Sequence, residues 1–192
     1  MYIFFMSIII SQKKYHLVSV YQDIYATYIV NNYLDTSTVK TRTKFYKTTF
    51  PSDIIFTKYN ASTSADQVEN LTMQFNINYR TYIVSLIYLL SKRADLSFAV
   101  HKLETFSSNP SKVNFDAMVH LLRYIRDNNT LGLKYSADMN NAPLSNLFRQ
   151  ASINTENQFL YSSDSSWQDC QDTGIITGAC IILYQCRPID HV

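Results

Sequence analysis

Apolar and polar positions alternate between two periods along this chain. Residues 2–10 (YIFFMSIII) form a short apolar run with the β-branched content of a single buried strand. Ser11 is suited to capping a following helix through SQKKYHLVSVYQDIYATYIV, although its Val and Tyr content weakens helix propensity. Residues 35–78 are polar and without period, with Pro51 inside them. They predict a long connector holding one short helix near Asp66–Leu71. The 3.6-residue period is strongest from Tyr79 to Asn128. Tyr79, Tyr82, Ile83, Leu86, Leu89 and Leu90 share one helical face. Val84, Ile87 and Tyr88 lie on the back of that helix, which predicts a central, largely buried element.

A second helix is expected from Asp95, as N-cap, to Ser107, with Leu96, Ala99, Val100, Leu103 and Phe106 as its stripe. Asn109-Pro110 ends it. A third helix, Ser111–Asp127, buries Phe115, Met118, Leu121, Leu122 and Ile125. Its other face carries Lys112/Asp116 and Arg123/Asp127 as i,i+4 pairs, so much of that charge is self-neutralised. LGLKY (131–135) then alternates as a strand. After a polar stretch, QFLYSS (158–163) and IITGACIILY (175–184) predict an antiparallel hairpin. The fold class read from this order is α+β.

Composition narrows the chemistry. Three glycines in 192 residues leave no GxGxxG or GxxxxGK[ST] phosphate loop. Three cysteines without a CxxC pair argue against a disulfide framework or a zinc site, and for a reducing intracellular compartment, cytoplasmic or nuclear. The apolar N-terminal run is too short to span a bilayer, and no membrane partner is expected. The net charge of +2 hides an asymmetry. Residues 1–135 hold 15 Lys+Arg against 9 Asp+Glu, and residues 136–192 hold 2 against 6. A basic body with an acidic end suits a polyanion-binding module joined to a metal-binding one. His101 and His120 lie off the apolar stripes and are expected to be solvated.

The pieces SLIYLL, KRADLSFAV, SSNPSKVNF, HLLRYIRDN and LGLKY, followed by FLYSSDSSWQDCQDTGIITGACIILYQ, occur in this order and at characteristic spacing. Together they resemble the copia-type retrotransposon Pol polyprotein. Its reverse transcriptase thumb and connection carry "TRPDI.FAV", "NP" and "LRYL" segments, and its RNase H begins near "YSDADWAGD". The resemblance implies a thumb/connection-like region over 1–135, a linker over 136–157 and the opening β-hairpin of an RNase H-like fold over 158–192. It implies a parent that carries out RNA-directed DNA synthesis and RNA strand cleavage with Mg²⁺. No "YVDD" occurs, since the chain contains no DD, and two-metal phosphoryl transfer needs clustered carboxylates. Asp164 matches the first RNase H carboxylate, and it would be a metal ligand only in a completed site. The family's remaining carboxylates correspond to sequence beyond Val192. Asp169, Asp172 and Asp190 match no catalytic position. The family's basic-hydroxyl stretch reads Gly174–Gly178 here, and its Gly-Gly turn reads Cys186-Arg187.

The expectation is therefore a fragment without cofactor and without catalysis of its own. It would bind RNA–DNA or DNA duplex non-specifically and join the rest of the Pol polyprotein. The candidate nucleic-acid contacts are Lys92, Arg93, Lys102, Arg123 and Arg126. Basic residues such as Lys92 and Arg93 also serve at helix C-termini. The competing expectation is a non-enzymatic protein-interaction chain or a decayed reading frame.

Overall fold

The computed structural model describes residues 2–5, 7–12, 18–34, 45–51, 54, 56–57, 64–135, 159–165, 178–184 and 187–191. It is an α+β protein in two compact units, one formed by 1–21 with 132–192 and the other by 22–131.

The first unit holds two antiparallel sheets. One has strands β1 (Tyr2–Phe5), β2 (Ile8–Gln12), β3 (Val18–Tyr21) and β4 (Gly132–Tyr135) in that order. The apolar run expected as one strand is thus a hairpin. Ser7 takes a left-handed φ of 62° between its arms, and Tyr2 pairs with Ser11. The helix expected to start at Ser11 is also corrected. Val18–Tyr21 is β-branched and aromatic enough to pair as a strand, and the helix begins only at Asp23. LGLKY forms β4 and pairs with β3, Tyr21 facing Gly132. Gly132 is required there, because a Cβ would stand 2.4 Å from the Val20 carbonyl oxygen and 2.7 Å from the Tyr21 Cβ. The second sheet has strands β5 (Phe159–Ser165), β6 (Gly178–Tyr184) and β7 (Arg187–His191). The expected hairpin is present with Phe159 opposite Tyr184. An unexpected third strand extends it, with a bulge at Ile182/Leu183. Its Pro188 is tolerated because β7 is an edge strand. The stretch expected as a linker, 136–157, lies outside the described residues.

The second unit is helical: α1 (Asp23–Tyr33), α2 (Ala65–Phe75), α3 (Tyr79–Leu90), α4 (Ser97–Glu104) and α5 (Lys112–Asp127). The helix expected near Asp66–Leu71 is α2. Ser64 caps its N-terminus, and Asn76 ends it at a left-handed φ of 52°. Asn78 caps α3 by accepting the Thr81 N–H. Ser111 and Asn114 form a reciprocal capping box at the start of α5, the Asn side chain taking the place usual for Glu or Gln. Phe115, Met118, Leu121, Leu122 and Ile125 of α5 are all fully buried, as their spacing predicts. They meet Tyr82, Leu86 and Leu89 of α3 and Ala99, Val100 and Leu103 of α4 in one core.

Two expectations fail in this unit. Asp95 caps nothing. It sits within a 3₁₀ turn, Ala94–Leu96, before α4, and its carboxylate is committed elsewhere. The back of α3 is not buried either: Val84 is 68% exposed, and Ile87 and Tyr88 are each 42% exposed. No helix among the described residues is long and apolar enough to cross a membrane.

Candidate nucleic-acid interface

Helix α5 turns one side to the core and receives an extended segment, residues 45–50, on the other. The Tyr46 N–H donates to Asp127 Oδ2 at 3.0 Å, and Asn128 Nδ2 donates to the Tyr46 carbonyl at 2.9 Å. One turn and more toward the helix start, His120 Nε2 donates to the Thr48 carbonyl at 2.9 Å. These bonds bring the backbone at 46 and 48 onto the helix, while Phe45, Lys47 and Thr48 remain exposed. Farther along, Phe50 packs against Phe56 and Phe98.

Tyr46 organises the charges around it. The Arg123 guanidinium lies 5.7 Å from the Tyr46 ring centroid and donates to its hydroxyl at 3.1 Å, and His120 meets the ring edge-on at 4.8 Å. Arg126 Nε donates to Asp127 Oδ1 at 2.9 Å, and the Asp127 side chain is only 1% exposed. The carboxylate is thus turned inward under the segment, and Lys47, Arg123 and Arg126 present an excess of positive charge beside two aromatic rings. Asp116, nearer the start of α5, is paired with Lys112 at 2.7 Å. Such an arrangement suits phosphate oxygens, which need donors and positive charge but no base-specific geometry.

The expected contact residues are placed unequally. Arg123 and Arg126 share this surface. Lys92 stands partly exposed after α3, with its ammonium on the Ser91 carbonyl, and Lys102 is partly exposed on α4. Arg93 is corrected. Its side chain is 1% exposed and forms a two-pronged pair with Asp95 at 2.9 and 2.8 Å. Tyr124 donates its hydroxyl to the same carboxylate at 2.9 Å, and its ring lies 6.0 Å from the guanidinium. Burial pushes the Asp95 carboxyl up, but the hydrogen bonds and charge of Arg93, helped by Tyr124, outweigh it and hold the group below its ordinary value. Arg93 therefore fastens the α3–α4 turn to α5 and is not available to a phosphate.

Tyr46, Lys47 and His120 were not foreseen. They lie in or against a stretch with no period, and only the Phe-Tyr-Lys order of TKFYKTT hinted at aromatic and basic interleaving. His120 is engaged with Thr48 and not merely solvated, while His101 pairs with Glu104 at 3.3 Å on an exposed face.

Asp164 lies in β5 opposite Ala179. Asp190 lies in β7 opposite Ile182, and Asp169 and Asp172 lie outside the described residues. Among the described residues no cluster of three His, Cys, Asp or Glu is placed to hold a metal ion.

Comparison with known proteins adds kinship. No family model matches the chain, and no solved structure matches it significantly. Over 98 residues it is 31% identical to the "Uncharacterized mitochondrial protein AtMg00240" of Arabidopsis thaliana, covering 50% of this chain and 74% of that protein. The chain belongs to the family of that protein. The name AtMg00240 carries no activity, so function must be argued from the surface described above.

Proposed function

We propose that the chain is a segment of a copia-type retrotransposon Pol polyprotein, running from the reverse transcriptase thumb and connection into the start of RNase H, and that its own part is to hold a nucleic-acid duplex by its phosphates. The observation that carries this reading is the cationic surface at α5, where Arg123 lies against Tyr46, the next residue Lys47 is exposed, and Arg126 pairs with the inward-turned Asp127. A second observation supports it. Arg93 and Asp95 of KRADLSFAV and Tyr124 of HLLRYIRDN, two of the pieces on which the resemblance rests, meet in one partly buried cluster. Those motif letters thus have a structural reason to occur together. In this reading synthesis and RNA cleavage belong to the parent polyprotein with its Mg²⁺, and the segment works inside the cell as a positioning surface.

The test is a salt titration of fluorescent RNA–DNA and DNA duplexes against the chain. Arg126 is paired with Asp127, so Lys47 and Arg123 neutralising two phosphates give a slope of log affinity against log salt of about −1.8 on duplex DNA. Replacing exposed Lys47 with Ala removes one contact and brings the slope to about −0.9. Affinity that ignores salt, or a Lys47→Ala slope equal to that of the unaltered chain, would show that this surface does not bind phosphates.

A further inference from the structure

Lys47 is exposed, yet the backbone on either side of it is tied to α5. The Tyr46 N–H donates to Asp127 Oδ2 at 3.0 Å, the Tyr46 carbonyl accepts from Asn128 Nδ2 at 2.9 Å, and the Thr48 carbonyl accepts from His120 Nε2 at 2.9 Å. Tyr46 therefore lies by the end of the helix and Thr48 about two turns back, so the segment runs antiparallel to α5. A carbonyl oxygen can only accept. His120 Nε2 therefore carries a proton, as it does in one neutral tautomer and in the charged ring alike.

The same brace relates the two cations to each other. The Tyr46 hydroxyl accepts from Arg123 Nη1 at 3.1 Å, and the Tyr46 ring lies 5.7 Å from the guanidinium. Lys47 follows Tyr46 directly, so both cations take their places from one residue. Asp127 faces inward, one oxygen holding Tyr46 and the other Arg126 at 2.9 Å. The Asp127 end of the brace is thus buried, while the bond from His120 to Thr48 lies at the surface. A segment outside helix and sheet keeps a side chain in place only where its backbone is bonded, because each unbonded residue is free to visit several φ/ψ wells. Pinning Lys47 on both sides leaves only its side-chain rotamers to be ordered, and a preorganised contact binds more tightly than one ordered during binding.

We infer that His120 is a positioning residue of the phosphate-binding surface: its bond to the Thr48 carbonyl closes the second end of the brace and holds Lys47 in place relative to Arg123, so that both cations meet one phosphate backbone together. The inference rests on the phosphate-binding reading of this surface and names the side chain that keeps it assembled. His120 acts through Lys47, and the Nε2 donor, not the charge of the ring, is what the role requires.

The experiment measures the affinity of the full chain for a fluorescent DNA duplex at about 0.1 M salt, and combines His120→Leu with Lys47→Ala in a double-mutant cycle. One phosphate contact contributes about 0.9 of a decade in affinity per decade of salt, so Lys47→Ala should weaken binding about eightfold. His120→Leu should weaken it at least about threefold in the unaltered chain and change it by less than about twofold in the Lys47→Ala background. His120→Gln is neutral but carries an amide donor close to the position of Nε2, and should bind within about twofold of the unaltered chain. Helical circular dichroism is recorded for every variant. Should His120→Leu fail to fold, His120→Asn takes its place, since its amide stops short of the Thr48 carbonyl. Equal weakening by His120→Leu in both backgrounds, no weakening in the unaltered chain, or His120→Gln as weak as His120→Leu would each overturn the positioning role. Lys47→Ala binding like the unaltered chain would instead overturn the phosphate reading, and the role of His120 with it.

Discussion

Replacing Asp95 with Asn isolates the charge of one carboxylate at nearly constant shape. Arg93 is 1% exposed, and its Nη1 has no hydrogen-bond partner among the described residues, so Asp95 is the counter-charge that its guanidinium directly contacts. Removing one partner of a buried pair costs about 3–5 kcal/mol, because the remaining charge stays desolvated. The Asp95 side chain is 32% exposed, and water screens part of the interaction, which brings the expected loss to about 2–3 kcal/mol. Urea unfolding followed by helical circular dichroism measures it. The carboxyl lies below its ordinary 3.8 in the folded chain, so its contribution is complete above that value and is lost as pH falls through the lower folded value. The difference between the two proteins should therefore hold from neutral pH to about 5 and close below about 3.8. Changing Arg93 to Met and Asp95 to Leu together removes both charges and should cost less than Asp95→Asn alone. A single variant within about 0.5 kcal/mol of the unaltered chain, or a difference as large in acid as at neutrality, would refute the buried-pair reasoning.

Gly132→Ala should loosen β3 from β4, because its Cβ meets the Val20 carbonyl oxygen and the Tyr21 side chain; an overpacking cost of about 1–3 kcal/mol is expected, with faster amide exchange along 18–21 as the readout. Ser111→Ala removes the hydroxyl that accepts the Asn114 N–H at the start of α5 and should lower stability by about 1 kcal/mol in the same urea assay. Asn114→Ala should cost at least as much, since it leaves the buried Ser111 N–H without its 2.8 Å acceptor.

What the residues disclosed before the structure follows the range of the forces involved. The buried face of α5 was legible because five apolar side chains repeat at the helical period and all five are fully buried. The pairing of β5 with β6 was legible for similar local reasons, whereas Ser111 was read as the start of the helix and its capping role came only with the structure. Val18–Tyr21 was not, because it was joined to the helix that begins two residues later, although it pairs both with neighbouring β2 and with the distant Gly132–Tyr135. The exposure of Val84 was hidden for the opposite reason: an apolar residue on a helix back reads the same whether a neighbour covers it or not. Arg93 illustrates the limit for charges. A basic residue between two helices suggests a surface contact, and only the two-pronged bond to Asp95 together with the hydroxyl of Tyr124 shows that it belongs inside. At the cationic surface, Arg123 and Arg126 were visible on the face of α5. Tyr46 and Lys47 were not, because an aperiodic segment does not reveal which helix it lies across.

The helical unit leaves the first unit after Tyr21 and returns at Gly132, and these two residues are register partners in neighbouring strands. Its ends are therefore held one interstrand spacing apart, about 5 Å. Closing a flexible loop as long as residues 22–131 costs on the order of 4 kcal/mol in chain entropy, more than four residues of ladder return by themselves. β1, β2 and β3 follow one another directly and need no such closure, so β4 is the strand that waits. Once the helices have condensed, the long loop behaves as a short one and β4 can zip onto β3. The sheet is thus a late reporter of helical folding, and lesions in the helical core will appear as exchange in β4 before they appear in β2.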